Sequence, residues 1–246
     1  WRDRSGSRLG QLFVAGGQSR KDWSWDLSWT HARTDLIGSG LLPDALLDAR
    51  RDSVYTRPDR TRNRLSMLAL NATARLDAAS ALAAVAYARR LDTDTLNGDV
   101  NDDFAPPAVT EAGVENRTAA RQRGSGLALQ WTLTQPGRQL MIGASLDRAS
   151  TRFEQTEAEG DLDATRAVKP AEDPRVNARI RGSSRTRSAY ASHVWSPRPG
   201  LDVTLSGRYN DTRVATVDLG RVELGLSTAL DSDAGFKRFN PAVGAT

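Results

Sequence analysis

One acidic stretch carries most of the side chains in this sequence that suit ion binding. It runs from residue 91 to residue 104, LDTDTLNGDVNDDF, and its carboxylate and amide side chains are Asp92, Asp94, Asn97, Asp99, Asn101, Asp102 and Asp103. Calcium takes oxygen ligands of this kind, although Leu96 occupies the fifth position, where an EF-hand loop supplies a ligand. The stretch is therefore either a calcium-binding loop or a solvated acidic loop, and the spacing leaves both interpretations open.

Side chains suited to catalysis are few. The sequence has no cysteine, and its only histidines, His31 and His193, define no Ser-His-Asp arrangement by their spacing. The glycine-rich segment 37–43, IGSGLLP, lacks the Lys-Ser/Thr pair of a phosphate-binding loop. We therefore predict that the protein is not an enzyme and that it uses no cofactor and no catalytic metal.

The composition narrows the fold and the partners. The 246 residues suffice for one large or two small domains, and no run approaches the roughly 18 apolar residues that a membrane-spanning helix needs. The net charge of +4 comes from scattered arginines among many aspartates, with only three lysines. No dense basic block marks a nucleic-acid interface, so we expect no nucleic-acid partner.

The segments around the candidate side chains alternate between apolar and polar residues, with a period of two. In residues 23–30, WSWDLSWT, Trp and Leu alternate with Ser, Asp and Thr, which places apolar and polar side chains on opposite faces of a strand. The same alternation recurs in segments 64–76, 125–134, 139–148 and 201–210. It predicts β-strands. The Ala-rich segment 81–90 also fits a helix, and the segment 186–195 alternates only weakly.

Short and long connections alternate along the chain. The short ones, rich in turn-forming residues, are 18–22, 77–80, 135–138 and 196–200, and the long polar ones are 35–61, 91–124, 154–185 and 214–235. In an antiparallel sheet, all short turns then lie at one end and all long loops at the other, as in bacterial outer-membrane barrels. Trp23, Trp131 and Trp195 fall near short turns, where a membrane-interface belt of aromatic residues would place them.

These patterns predict an all-β fold, an antiparallel up-and-down segment of a transmembrane β-barrel with about eight to ten strands that form an open, partial barrel. The face expected to meet lipid carries Trp23, Trp25, Leu27, Trp29, Leu127, Leu129, Trp131, Leu133, Leu140, Ile142, Leu201, Val203 and Leu205. The opposite face is expected to carry Ser24, Asp26, Ser28, Thr30, Gln130, Thr132, Thr204, Ser206 and Arg208.

Four segments resemble TonB-dependent outer-membrane receptors. Residues 194–214, VWSPRPGLDVTLSGRYNDTRV, are similar to that family's Trp-x-Pro turn and to the Leu, Gly and Arg-Tyr-Asn positions of the strand that follows it. Residues 236–246, FKRFNPAVGAT, are similar to its Phe-Asn-Pro-x-x-Gly barrel strand. The segments 52–70 and 86–102 resemble a loop-and-strand pattern of a subset of these receptors.

The resemblance implies a barrel of about 22 strands with a plugged lumen. Residues 1–246 would form a single partial barrel domain, incomplete at both ends, without the plug, the TonB-contact segment or the terminal strand. The resemblance also implies that the protein lies in the outer membrane of a Gram-negative bacterium. It implies further that the protein imports a scarce nutrient such as a ferric siderophore. The implied partners are outer-membrane lipid, lipopolysaccharide, a small-molecule or metal-chelate ligand, and the TonB complex through the plug region.

The alternation and the turn positions also give expected locations for individual side chains. Those expected to face the lumen are Asp26, Thr30, Asn71, Arg75, Gln130, Asp147, Arg208 and Asn210, and those expected at the lipid interface are Trp23, Trp25, Trp131 and Trp195. The Arg-rich segment 174–187 either contacts lipopolysaccharide phosphates through bidentate arginines or is solvated. Other functions considered are a complete small barrel with a structural or adhesive role, an outer-membrane hydrolase and a soluble β-sheet binding module.

Overall fold

Ten β-strands and a short helix make up most of the part of the chain that the structure describes. The computed structural model describes residue 2 and residues 5–38, 40–220 and 230–246. The elements are β1 Arg8–Ser19, β2 Trp23–Ile37, α1 Asp44–Ala49, β3 Asp59–Arg75, β4 Ser80–Val100, β5 Gly113–Gln135, β6 Arg138–Leu162, β7 Val168–Pro170, β8 Arg175–Arg198, β9 Leu201–Asp218 and β10 Ser232–Ala245. Within these described ranges, no helix has the length and apolar character that crossing a membrane requires.

The strands form one antiparallel sheet in sequential order. Its order is β1-β2-β3-β4-β5-β6-β8-β9-β10, and the three-residue β7 pairs with the end of β6. Neighbouring long strands pair along most of their length, as β5 and β6 do from Gly113 opposite Gly160 to Gln135 opposite Arg138. β1 and β10 form the edges, and they do not pair with each other. The predicted antiparallel, up-and-down, open sheet of about eight to ten strands is confirmed. The Ala-rich segment 81–90 lies in β4 and is not a helix.

The connections alternate between the two ends of the sheet. Tight turns join β1 to β2, β3 to β4, β5 to β6 and β8 to β9. Two of them use Pro-Gly, with Gly137 at φ +69° and Gly200 at φ +78°, in the left-handed region that favours glycine. The longer connections leave from the opposite end, and the first of them contains α1.

The predicted extents of the long loops are wrong. β4 continues to Val100 and β5 begins at Gly113, so most of the stretch 91–124 is strand. Likewise, β6 continues to Leu162 and β8 begins at Arg175, inside the stretch 154–185. Here both faces of the sheet are polar, so the period-two signal disappears from the sequence although backbone pairing continues.

The register separates the side chains into two faces, because residues directly opposite each other in an antiparallel pair point to the same side. We call the side with Trp23, Trp25, Leu27 and Trp29 the apolar face, and the other side the polar face. Trp23 is opposite Ala74, which is opposite Leu82, which is opposite Trp131. The pairing continues this division to β9, so every residue of the first predicted set lies on the apolar face and every residue of the second on the polar face.

This sheet has almost no hydrophobic core of its own. Among the described residues, only Ala158 and Val168 are buried apolar side chains. On the apolar face, Trp23, Leu127 and Leu129 remain 41%, 48% and 44% exposed. A soluble monomer rarely exposes a contiguous apolar surface of this extent.

The height of the apolar face matches that of a lipid-facing band. On β3 and the residue after it, apolar side chains of this face run from Leu68 to Leu76. At about 3.4 Å per residue this segment is about 31 Å long, and a strand tilt of 35–45° reduces its height to about 22–25 Å. The lipid-facing band of an outer-membrane barrel is about 25 Å tall.

We predict that residues 1–246 expressed alone will not give a soluble, cooperatively folding monomer. The edges β1 and β10 present unpaired N–H and C=O groups that can pair with other chains. The apolar face adds a large exposed hydrophobic surface that favours aggregation. Size-exclusion chromatography and thermal melting without detergent test this expectation. A monodisperse monomer with a sharp melting transition would contradict it and would mean that the sheet closes on itself.

Candidate functional site

The polar face gathers the side chains that were expected to face a lumen. Those on it are Asp26, Thr30, Asn71, Arg75, Gln130, Asp147, Arg208 and Asn210. They extend from β2 to β9, so they form a wall of polar groups rather than one compact pocket. Hydrogen bonds join them into separate groups.

The first group lies on β2 and β3, near the tight-turn end. Asn71 donates from Nδ2 to Oδ1 of Asp26 at 3.0 Å, and the hydroxyls of Ser24 and Thr73 are 2.7 Å apart. These pairs stand directly opposite each other in the β2–β3 register, where cross-strand side-chain pairs stabilise a sheet.

A tyrosine spans three strands in the second group. Tyr87 of β4 lies across Gly126 of β5 and donates its hydroxyl to Oδ1 of Asp147 on β6 at 2.9 Å. A Cβ atom at Gly126 would overlap the Tyr87 ring, so glycine is what allows this tyrosine to cross the middle strand.

A second tyrosine crosses in the opposite direction. Tyr190 of β8 lies across Gly143 of β6 and donates to Oε1 of Gln130 on β5 at 2.8 Å. A Cβ atom at Gly143 would overlap the Tyr190 ring. The guanidinium of Arg208 lies 5.9 Å from the centre of that ring, a cation–π distance.

Arg208 connects the second tyrosine to a hydrogen-bonded group on β8 and β9. It donates to Oδ1 of Asn210 at 2.9 Å and to Oγ of Ser188 at 3.1 Å, and Ser188 donates to Asn210 at 2.8 Å. Ser188 is buried beneath these partners. The polar face between β5 and β9 is therefore a continuous network, whereas the side chains of Thr30 and Arg75 make no side-chain hydrogen bond within the described part of the chain.

The two tyrosines were not among the predicted site residues. Tyr87 lies in the segment that also fitted a helix, and Tyr190 lies in the weakly alternating segment 186–195. One feature of the sequence could have located the two tyrosines. Gly126 and Gly143 each lie on the polar face of the strand next to a tyrosine, and glycine within a strand often marks the close approach of another group.

Most of the acidic stretch is strand and not loop, because β4 continues to Val100. Asp92 and Asp94 lie on β4 and turn toward the apolar-face side, whereas Asn97 and Asp99 lie on the polar-face side. Asp94 accepts from Arg121 at 2.6 Å, and Asp92 pairs with Arg90 at 3.0 Å. Within the described residues, no group of three or more His, Cys, Asp or Glu side chains is arranged to hold a metal ion.

The histidines and tryptophans lie on the apolar-face side. His193 stands between Leu140 and Leu205, and His31 stacks on Trp29 with ring centroids 5.9 Å apart. The predicted interface residues Trp23, Trp25, Trp131 and Trp195 lie on this face, with Trp23 and Trp131 at the same level. Trp29, not included in that prediction, lies at the opposite limit of the apolar band and donates to Ser66 at 3.0 Å.

At the long-loop end, two connections contact each other. The backbone N–H of Arg57 donates to the carbonyl of Arg166 at 3.1 Å, and that of Val168 donates to the carbonyl of Arg57 at 3.1 Å. Arg166 donates to the Tyr55 carbonyl and places its guanidinium 4.6 Å from the Tyr55 ring centre. These contacts join the β2–β3 connection to the β6–β7 connection across the ends of β4 and β5.

Asp163 organises the second of these connections. Its Oδ1 accepts from the backbone N–H groups of Thr165 and Ala167 at 2.8 and 3.0 Å, and from the Thr165 hydroxyl at 2.5 Å. These hydrogen bonds, led by that of the Thr165 side chain, lower the pKa of Asp163 to about 2. They surround Arg166, which adopts the left-handed conformation at φ 59° that non-glycine residues rarely populate.

Comparison with known proteins gives matches of structure only. No protein-family model and no curated protein sequence matches the chain. The ferric citrate transporter FecA, in its unliganded form, is similar with a TM-score of 0.71 and 12% identity over 100% of this chain and 34% of FecA. The closed form of the ferric-catecholate import receptor Fiu from K12 E. coli has a TM-score of 0.66 at 12% identity, over 99% and 42%. The copper transporter OprC has a TM-score of 0.64 at 13% identity, over 98% and 34%.

The chain therefore has the fold of part of a transport-receptor barrel. FecA and Fiu are TonB-dependent receptors, so the predicted resemblance to that family is confirmed for the fold. The structural neighbours are transport receptors and not enzymes. The chain spans 34% to 42% of the length of the three proteins compared, well under two thirds of each.

We predict that Gly126→Ala and Gly143→Ala each lower the free energy of unfolding by about 1–3 kcal/mol, because the added methyl displaces a tyrosine from a packed position. Urea unfolding of the complete polypeptide in lipid vesicles measures the change. Gly182→Ala is the matched control, because its nearest new contact would be Cγ2 of Thr216 at an ordinary 3.9 Å. Additive effects of Gly143→Ala and Tyr190→Ala, instead of partial relief in the double variant, would contradict the predicted overlap.

We predict that the turn around Asp163 loosens in acid. Because its folded pKa of about 2 lies below the ordinary value of 3.8, Asp163 stabilises the turn above about pH 4, and this contribution disappears as the pH falls through 2. Hydrogen exchange at the Thr165 and Ala167 amides, corrected for intrinsic rates, should show protection falling between pH 4 and pH 2. Asp163→Asn should remove that pH dependence, and Asp161→Asn should preserve it.

Proposed function

We propose that this chain forms part of the barrel wall of a TonB-dependent outer-membrane receptor that imports a scarce nutrient, such as a ferric siderophore. The observation that supports this most directly is one continuous sheet with an apolar face and a polar face, similar along its entire length to the FecA fold. Such a wall separates lipid from a wet lumen.

Each face has a role in this proposal. The apolar face meets outer-membrane lipid, and Trp23, Trp25, Trp131 and Trp195 lie at the membrane interface, where an indole keeps its ring in lipid and its N–H hydrated. The polar face lines the lumen, with its eight predicted residues bonded to one another, to water or to a plug domain. A TonB complex would act through a plug outside residues 1–246.

Residues 1–246 would be one continuous part of a larger barrel domain in the outer membrane of a Gram-negative bacterium. The open edges at β1 and β10 and the partial coverage of each similar receptor support this arrangement. A complete small barrel would require β1 to pair with β10. A soluble binding module would require a core, and the described residues bury only two apolar side chains.

The ligand class follows only broadly from the fold. The similar proteins are described as a ferric citrate transporter, a ferric-catecholate import receptor and a copper transporter. Proteins that share this barrel fold thus transport different ligands, because the side chains of the site and not the fold select the ligand. We propose a metal or metal-chelate ligand for the complete protein.

The two faces can be tested by lipid contact. The chain has no cysteine, so Leu129→Cys on the apolar face and Gln130→Cys on the polar face can each carry a bimane fluorophore. In the complete polypeptide in vesicles, brominated phospholipid should quench the fluorophore at residue 129 strongly and at residue 130 weakly. Equal quenching at both positions, or fractionation away from the outer membrane, would contradict the barrel-wall assignment.

The import role needs a separate measurement. Cells that carry or lack the complete gene should differ in uptake of radiolabelled ferric chelates, and the difference should vanish when TonB is deleted. Uptake that persists without TonB would contradict the receptor assignment while leaving the barrel intact.

A further inference from the structure

A cavity of about 330 Å³ lies between the two connections that contact each other at the long-loop end. Its lining includes three arginines and two hydroxyl residues: Arg50, Ser53 and Arg57 from the β2–β3 connection, and Thr165 and Arg166 from the β6–β7 connection. Among the described residues that line it, none carries a carboxylate. We call this space the connection cavity.

The arginines of the connection cavity differ in their partners. Arg50 pairs with Asp52 at 2.8 Å. The half-buried side chain of Arg57 forms no ion pair and no hydrogen bond within the described ranges, and its Nε is there the one buried side-chain nitrogen or oxygen without a hydrogen-bond partner. Charged groups inside proteins are normally paired, so a buried guanidinium nitrogen without a partner points to a ligand that supplies one.

Backbone hydrogen bonds hold Arg57 beside Arg166. The N–H of Arg57 donates to the carbonyl of Arg166, and the N–H of Val168 donates to the carbonyl of Arg57, both at 3.1 Å. Arg166 is fixed in turn by its hydrogen bond to the Tyr55 carbonyl and its contact with the Tyr55 ring. In the part of the chain that the structure describes, Arg166 also forms no ion pair with a carboxylate. Two guanidinium groups without counter-ions therefore line one cavity from its two sides.

Glycines let both connections lie against the strand ends on the side opposite the polar face. By their register, Gly98 of β4 and Gly160 of β6 belong to the apolar-face side. A Cβ atom at Gly98 would overlap the carbonyl of Arg57, and one at Gly160 would overlap the carbonyl of Lys169. The connection cavity is therefore separate from the polar face that lines the proposed lumen.

We propose that the connection cavity binds a small soluble oxyanion, a molecule with a phosphate or carboxylate group, and that this anion joins the two connections. A guanidinium group binds such oxygens through paired hydrogen bonds, and guanidinium groups on two walls can hold one anion between them. The cavity volume lies within the range of small-molecule sites. The inference goes beyond the proposed function, because it requires no transported ligand.

The test compares Arg57→Gln with Arg51→Gln in the complete polypeptide. Both changes remove one positive charge from the same connection, but Arg51 is exposed and does not line the cavity. Isothermal titration calorimetry in detergent, at constant ionic strength, measures binding of inorganic phosphate and of succinate. Arg57→Gln should bind both anions about tenfold more weakly than the parent, because charge-assisted hydrogen bonds are lost. Arg51→Gln should stay within about twofold, because solvent screens an exposed charge.

Hydrogen exchange separates a binding site from an arginine with a structural role alone. Saturating phosphate should slow exchange at the amides of Arg57 and Val168, which join the two connections, in the parent. The same amides should not respond to phosphate in Arg57→Gln. Without anion, the variant should protect the Val168 amide at least as well as the parent does, because it removes an unpaired charge from a half-buried position. Lower protection in the anion-free variant would assign a structural role to Arg57 and would overturn the proposal.

Two further outcomes would count against the site. A folded parent that binds neither phosphate nor succinate, or equal losses in the two variants, would overturn the proposal. Binding of phosphatidylglycerol vesicles alone would also overturn it, because the anion would then be a lipid headgroup and not a soluble molecule. Heat-modifiable migration checks that each variant is folded. TonB-dependent uptake tests the proposed function independently, so failure of the anion site and failure of the receptor assignment remain distinguishable.

Discussion

The structure depends on a single layer of backbone hydrogen bonds. Each long strand from β2 to β9 is held by a neighbour on each side, and within the described residues no second layer packs against the sheet. Such a sheet has no interior of its own, so its stability depends on the surroundings of each face. A bilayer provides no hydrogen-bonding partners, so spanning structures must satisfy their backbone internally. Continuous pairing from β1 to β10 does this everywhere except at the two edges.

The polar face gains its order from side chains that reach beyond adjacent strands. Tyr87 and Tyr190 each cross a glycine and bind a polar group two strands away. These contacts join β4, β5, β6 and β8 in a way that ladder hydrogen bonds between neighbours cannot. They supply rigidity on a wall that has no packed core, and Arg208 extends the network to β9.

The strands change their chemistry along their length. The apolar band ends at the level of Trp29, and above it the same face carries arginines and aspartates. Ion pairs such as that of Arg121 with Asp94 hold this upper part where both faces are polar. The contact between the connections around Arg57 and Arg166 then joins strand ends that are distant in the sheet. The long strands thus carry an apolar band and a charged rim on the same backbone.

The sequence by itself determined the strands and the two faces at the level of the apolar band. Alternation in segments such as 23–30 and 125–134 needs only the period of a strand, and turn residues such as Pro136 and Gly137 mark its ends. The same reasoning placed the eight predicted polar residues on one face, because parity along a strand is a local property.

Only the tertiary structure decided which residues meet across strands. Period two vanishes where both faces are polar, so β4 and β5 continue through a stretch that looks like a loop. Register, set by pairing between distant segments, brings Asp147 to Tyr87 and places Arg148 opposite Arg185. Spacing along the chain cannot reveal such contacts, because they arise from which strand lies beside which and at what offset.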